Sequence, residues 1–387
     1  MGPPNLVANT RGKQIQPPVG YTETLNRSKE VFMERALMIS MRALGKSKPN
    51  PPVGAVLVKD GKIIGEGSTG LPGEQHAEIV AMSGARRDVE GSSLYVTLEP
   101  CCHFGKTPPC LNSILEAGIA EVHIAIVDPN PVVSGQSIQT LKEEGIKVTV
   151  GLLKEKAERL MAPHIKIMRT GMPFVMVKFA ATIDGKIATS TGESRWITGS
   201  KSRAMGHKLK SQSDAIMVGI NTVMADDPSL TVRGPASYGL ESRPIRVIID
   251  SHGRTSPDSA IFNDDTPILI ATAKEKIMNG SYKGAKVLSF PSEVDTKVDL
   301  VGLLRYLGSE MITSVLVEGG SELIGSLFDL GLVDKVVAFL SPSVIGGRTA
   351  ITAIGGQGCK NISDVKKLVD VSYDVLGEDI MITGYCD

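Results

Sequence analysis

The sequence predicts an α/β protein built as two units in succession. Three observations carry that expectation. Strand-like and helix-like segments alternate from Val53 to Gly151, and a second series of short, apolar, β-rich runs begins at Phe174. Between them, Leu152–Arg169 is a charged, amphipathic stretch ending at Gly171 and Pro173, a pair suited to a hinge. The length of 387 residues suffices for two cores of ordinary size.

Each element has its own signal. Residues 1–28 carry Pro3, Pro4, Gly12, Pro17, Pro18 and Gly20 without a helical or strand period, and read as a loose N-terminal extension. From Ser28 to Leu44 the residues Val31, Phe32, Ala36, Leu37, Ile39 and Met41 recur at three- and four-residue steps, as on the buried face of a helix. Val53–Gly67 is two β-rich runs joined by Asp60-Gly61, a strong hairpin signal. Helix Ala77–Ala85, strand Ser93–Leu98, helix Leu111–Ala117, strand Val122–Val127, helix Ser137–Glu144 and strand Lys147–Gly151 complete a first unit over 29–151, with 152–173 as linker. In the second unit, 174–387, strands are expected at Phe174–Ala180, Ala215–Gly219, Ile245–Asp250, Pro267–Ala271, Lys286–Phe290, Ser314–Glu318 and Lys335–Leu340.

Composition narrows the function. Hydrophobic residues make up 42% and charged residues 22%, as in folded globular proteins. Lys plus Arg and Asp plus Glu both total 42, with no long block of either sign, which argues against a nucleic-acid partner. No apolar run approaches the ~20 residues of a membrane helix, and the N-terminus lacks a signal-peptide core, so a cytoplasmic location and no membrane partner are expected. Three of the five cysteines, Cys101, Cys102 and Cys110, fall in one ten-residue stretch, a crowding that suits metal or catalysis better than a disulfide framework.

That cluster is intelligible beside His76 and Glu78, which open a helix just after Gly73. Zinc deaminases combine H-x-E with Pro-Cys and a second cysteine, the metal resting on one His and two Cys. Here the matching ligands are His76, Cys101 and Cys110. Three protein ligands leave a fourth position for a water, whose pKa zinc lowers towards ~7. Glu78 is then the proton carrier between that water and the departing amine. Cys102 and His103 also carry ligand atoms. An adjacent cysteine pair opening a helix does not aim both sulfurs at one metal, so Cys102 reads as a packing residue.

The stretches "PNPPVGAVLVKDGKIIGEG", "HAE" and "TLEPCCHFGKTPPC" resemble the deaminase half of the bifunctional riboflavin-biosynthesis deaminase/reductase family. The resemblance continues through "KFAATIDGKIATSTGESRWIT", "SDAIMVGINTVMADDPSLTVR" and "VEGGSELIGSL", covering about residues 30–385. It implies a cytidine-deaminase-like α/β/α sandwich followed by a dihydrofolate-reductase-like α/β domain. It also implies zinc-dependent deamination of a small phosphorylated pyrimidine, diaminohydroxyphosphoribosylaminopyrimidine, then NADPH-dependent reduction of its ribosyl group to ribityl. By the same resemblance Ala180, Trp196, Thr222, Asp226, Ser251 and the loop Gly320, Ser321, Glu322, Leu323, Ile324, Gly325, Ser326 match cofactor contacts. Asn50, Ser194, Lys210, Leu230, Arg233 and Glu318 match substrate contacts, while Lys178, on the first strand of the second unit, points to the same region and is expected to bind substrate with them. A homo-oligomer is expected.

Without the family, Gly319-Gly320 is an ordinary strand-to-helix turn that can also admit a phosphate, and a lone Trp196 is more often core. Three positions depart from the commoner pattern. Lys210 stands where an arginine usually binds the phosphate, Ser68-Thr69 where an aromatic and a histidine are usual, and Pro52 replaces a less rigid residue. Lysine keeps the charge but loses the planar fork, so weaker phosphate affinity is expected. Thr69 motivates a competing expectation, a reductase whose first unit is only a binding or structural zinc module. A deaminase of another nucleotide fused to a pterin-type reductase is a third.

Overall fold

The computed structural model describes residues 19–85, 88–105, 107–237, 243–274, 282, 284–293 and 295–386. Helix α1 (Val19–Ser40) leads to strands β1 (Gly54–Lys59) and β2 (Lys62–Ser68). Asp60 (φ 53°) and Gly61 (φ 71°) between them are both left-handed, the tight turn whose twist matches the flanking strands. Then follow α2 (Ala77–Ser83), β3 (Ser93–Leu98), α3 (Cys110–Glu116), β4 (Glu121–Ile126), α4 (Gln136–Glu143) and β5 (Lys147–Val150). The sheet order is β2-β1-β3-β4-β5, with β1 antiparallel to both neighbours and β3, β4 and β5 parallel.

Small residues let helices press onto this sheet. Gly54 pairs with Ser68, so Gly54 and Gly67 face opposite sides. A Cβ on Gly54 would lie 2.0 Å from the Ala36 carbonyl oxygen of α1, and one on Gly67 would lie 2.2 Å from that of Ala77 in α2. The two helices therefore cover opposite faces, as in a three-layer sandwich, and α2 brings its first turn against the strand ends.

Two segments differ from the sequence expectation. Residues 19–28, read as loose, belong to α1; residues 1–18 of that expected extension lie outside the described residues. No proline occurs between Pro18 and Pro49, and a helix held by buried Met33, Ala36, Leu37 and Ile39 extends at little cost. Leu152–Arg169, read as a hinge, forms α5 (Lys154–Leu160) and α6 (Ala162–Thr170). Ala157 and Met161 join the first core, while Lys166 reaches Asp334 of the second unit at 2.5 Å, so the segment is packed on both sides.

The second unit is one sheet with helices. Its elements are β6 (Phe174–Thr182), α7 (Ser200–Gln212), β7 (Ala215–Gly219), α8 (Ile220–Asp226), β8 (Ile245–Ile249), β9 (Ile268–Thr272), β10 (Ala285–Ser289), α9 (Leu300–Ser309), β11 (Ser314–Gly319), α10 (Ser321–Asp329), β12 (Lys335–Ser341), β13 (Leu368–Leu376) and β14 (Asp379–Cys386). The strand order is β10-β9-β8-β7-β11-β6-β12-β14-β13, parallel except where β14 meets β12 and β13. β7 and β9 are buried along their whole length, which is why they read as unbroken apolar runs. Clefts in such sheets open at the carboxyl ends of the strands, here after Gly219, Ile249 and Gly319.

Candidate active sites

His76 immediately precedes α2 and Cys110 opens α3, so two helix starts converge on the loop that carries Cys101. The His76 Nδ1 lies 3.2 Å from Cys110 Sγ and 3.5 Å from Cys101 Sγ, and the three donor atoms fall within 4.8 Å of one another. One imidazole nitrogen and two soft sulfurs suit zinc, with room for a fourth ligand. Thr107 Oγ1 sits 3.3 Å from the other ring nitrogen, Nε2, and so fixes which nitrogen faces the sulfurs. Cys110 donates its backbone N–H to Cys101 Sγ at 3.3 Å. With hydrogen bonding from Cys110 foremost, the Cys101 thiol is held down to about 4, while Cys110 is pushed up beside it. Cys102 points elsewhere, its sulfur 3.8 Å from the Val132 carbonyl oxygen and from Gln136 Oε1. The reason is local: residues 101–105 and 107–109 are not helical, and the helix starts only at Cys110.

Glu78, in the first turn of α2, is only 4% exposed. Burial, then the Cys101 thiolate, pushes its carboxyl up to about 7, so it can hold or release a proton near neutrality. It lines a pocket of about 290 Å³ together with His76, Cys101, Asn50 and Thr69. Thr69 does not offer its hydroxyl to the pocket: Oγ1 accepts the Val53 N–H at 3.0 Å and donates to the Pro51 carbonyl at 3.2 Å. Sequence reasoning missed Asp128, Asn130, His164, Met168 and Met311 in the same wall. Asp128-Pro129-Asn130 was a visible signal; the last three come from α6 and from the turn after α9, which sequence spacing does not connect to the pocket.

The second cleft, about 1780 Å³, opens at the carboxyl ends of β6, β7, β8 and β11. Lys178, Ala180, Ser194, Trp196, Lys210, Thr222, Asp226, Ser251, Glu318, Gly320, Ser321, Glu322, Leu323, Ile324 and Ser326 all line it. Glu318 is clamped between Lys210 (2.7 Å) and Lys178 (3.8 Å). Burial raises the Glu318 carboxyl, but the two ammonium groups outweigh it and hold the group below its ordinary value. Ser194 donates to Asp226 Oδ1 at 3.1 Å. Gly319 (φ 154°) and Gly320 (φ 84°) take backbone conformations suited to glycine and deliver the first turn of α10 to the cleft.

Three of the residues matched by resemblance do not line this cleft. A Cβ on Gly325 would lie 2.2 Å from the Gly355 carbonyl carbon, so that glycine serves helix-to-loop packing. Leu230 is buried in the core with Ile216 and Val218. The Arg233 guanidinium turns back to Ser229 and to Thr231 Oγ1, the latter at 2.9 Å. Trp196, by contrast, is 72% exposed, which removes the core reading of a lone tryptophan. The guanidinium of Arg203 stacks 4.6 Å from its ring centre; Arg203 and Arg348, both in the cleft wall, were missed.

Comparison with known proteins distinguishes what these two sites belong to. The family described as "Cytidine and deoxycytidylate deaminase zinc-binding region" matches residues 26–126, and the "RibD C-terminal domain" matches residues 173–382. The riboflavin biosynthesis protein RibD of Actinobacillus pleuropneumoniae is 40% identical over 91% of this chain and 93% of its own length. The chain belongs to the RibD family. The RibD of Escherichia coli K12 is 38% identical, covering 88% of this chain and 93% of its own. Among solved structures, Acinetobacter baumannii RibD matches with a TM-score of 0.84 at 33% identity, over 94% of this chain and 99% of that one. A Thermotoga maritima diaminohydroxyphosphoribosylaminopyrimidine deaminase/5-amino-6-(5-phosphoribosylamino)uracil reductase matches at 0.82 and 34%, over 94% of this chain and 100% of that one. The α/β fold with a cytidine-deaminase-like first part and a RibD reductase second part is therefore as expected. The chain is a bifunctional RibD deaminase and reductase of riboflavin biosynthesis, acting on a small pyrimidine substrate with zinc and NADPH as cofactors.

Proposed function

We propose that the pocket beside Glu78 replaces the ring 2-amino group of diaminohydroxyphosphoribosylaminopyrimidine by oxygen, and that the second cleft reduces the ribosyl group of the product to ribityl. The observation that carries the reading is the buried Glu78 carboxyl standing in one pocket with His76 and Cys101, against a second, separate cleft whose floor is a glycine turn. His76, Cys101 and Cys110 hold the metal, which when bound supplies an acidified water at neutral pH. Glu78 takes a proton from the attacking water and passes it to the departing ammonia as the C–N bond breaks. Asn50, Asp128 and Asn130 offer hydrogen-bonding groups to the pyrimidine and its sugar.

In the second cleft NADPH, when bound, supplies the reducing equivalents. Trp196, Thr222, Asp226 and Ser251, with the Gly320–Ser326 turn, orient it. Lys178 and Lys210, less the one charge on Glu318, leave a net positive charge for the ribosyl phosphate. We assign deamination to residues 29–151 and reduction to 174–387, joined by the helices of 152–173. A cytoplasmic site of action follows from this chemistry: free thiols at all five cysteines suit a reducing compartment. No helix among the described residues is long and apolar enough to cross a membrane. A homo-oligomer is our further proposal, supported by the exposed apolar row Val371, Tyr373 and Val375 on edge strand β13.

Glu78→Ala tests the reading. The variant is expected to retain zinc and to reduce the deaminated substrate normally, while deamination falls by about 10²- to 10⁴-fold. Deamination at the parent rate would overturn it.

A further inference from the structure

The pocket beside Glu78 is not built by the first half alone. Asn50 belongs to a short turn in which its N–H donates to the Ser47 carbonyl at 2.8 Å and its carbonyl accepts from Ser47 Oγ at 2.9 Å. Within that turn Lys48 leaves the first half. Its ammonium lies 3.3 Å from Asp214 Oδ1 and donates to the Ser213 carbonyl, both just ahead of β7. Asp214 Oδ1 is buried and has no hydrogen-bond partner among the described residues, so the Lys48 charge is what compensates it. The other oxygen, Oδ2, accepts three donors from the segment before and into β11: Thr313 N at 2.7 Å, Thr313 Oγ1 at 2.5 Å and Ser314 N at 3.0 Å. Two residues before Thr313 stands Met311, held at φ 59° and lining the deaminase pocket. One carboxylate of the reductase half thus ties down both the Asn50 turn and the Met311 turn. Close approach reinforces the junction: a Cβ on Gly45 would lie 2.4 Å from the Ser211 carbonyl oxygen of α7.

We propose that the deaminase pocket is a composite site, in which the reductase half, through Asp214 and Met311, fixes the Asn50 turn and completes the wall, and so sets substrate affinity in the first step. Lys48 is a positioning residue and not a catalytic one. This inference rests on the reading that Asn50 and Glu78 face the pyrimidine.

The test uses the full-length, zinc-loaded protein. Lys48→Met is expected to raise the deaminase KM about tenfold with kcat within about twofold, at unchanged zinc content and with unchanged reduction of pre-deaminated substrate; Lys48→Arg restores KM. Met311→Ala is expected to raise the deaminase KM in the same selective way, and decides the matter if Lys48→Met does not fold. An unchanged KM in both variants, or deaminase and reductase falling together, overturns the proposal. Failure of the underlying reading is separate, since it would appear as Glu78→Ala retaining full deamination whatever Lys48→Met does.

Discussion

Lys210 Nζ lies 2.7 Å from Glu318 Oε2, and Lys178 faces the other oxygen of the same carboxylate at 3.8 Å. A single carboxylate thus faces two ammonium groups in the wall of the reductase cleft. Removing it leaves two ammonium groups without a counter-charge, so Glu318→Gln is expected to cost roughly 3 kcal/mol of stability at neutral pH. The lysines hold the Glu318 carboxyl below its ordinary 4.5. A depressed carboxyl contributes stability that is fully present above the unfolded-state value and is lost as pH falls through the folded-state value. The difference in melting temperature between the parent and Glu318→Gln should therefore be constant above about pH 5 and shrink as the pH is lowered past 4.5. Thermal melts across that range check it.

The same pair bears on phosphate affinity. A lysine engaged at 2.7 Å with Glu318 offers one point charge to the phosphate, whereas an arginine could keep the carboxylate and still present a planar fork. Lys210→Arg is expected to lower the reductase KM for the phosphorylated substrate by about three- to tenfold with little change in kcat. Steady-state kinetics on the deaminated substrate measures it, and an unchanged or raised KM would show that Lys210 does not meet the phosphate.

Thr107 controls the metal site from behind His76. Its hydroxyl lies 3.3 Å from Nε2 while Nδ1 faces the two sulfurs. Thr107→Val should weaken zinc binding by about 10- to 100-fold, the usual cost of losing an outer partner of a ligating histidine. Competition with a chromogenic chelator reads the affinity. Complete chelation of the parent should abolish deamination and spare reduction.

How much of this was legible in the sequence depends on where the signal lies. The Asp60-Gly61 turn, the parallel strands and the triad of His76, Cys101 and Cys110 were readable because periodicity and local spacing encode them directly. Helix α7 was not picked out, since Ser200–Gln212 carries few apolar residues and packs through small positions such as Ser202 and Gly206. The β13–β14 hairpin was missed although Val371, Tyr373 and Val375 alternate regularly; that row is exposed, and a bulge between Val369 and Ser372 breaks the alternation before it. Thr107, Arg203, His164 and Met311 owe their places to tertiary contacts between distant segments. Thr69 was visible as a departure, but only the structure shows its hydroxyl spent on the backbone at Pro51 and Val53.

Mass spectrometry of the products formed from diaminohydroxyphosphoribosylaminopyrimidine, with zinc-loaded protein and with or without NADPH, tests the two-site account most directly. Exchange of the amino group for oxygen without NADPH, followed by gain of a hydrogen pair when NADPH is added, is the predicted result. Absence of ammonia release from zinc-loaded protein, with direct reduction of the ribosyl group, would contradict it and leave a reductase carrying a zinc module.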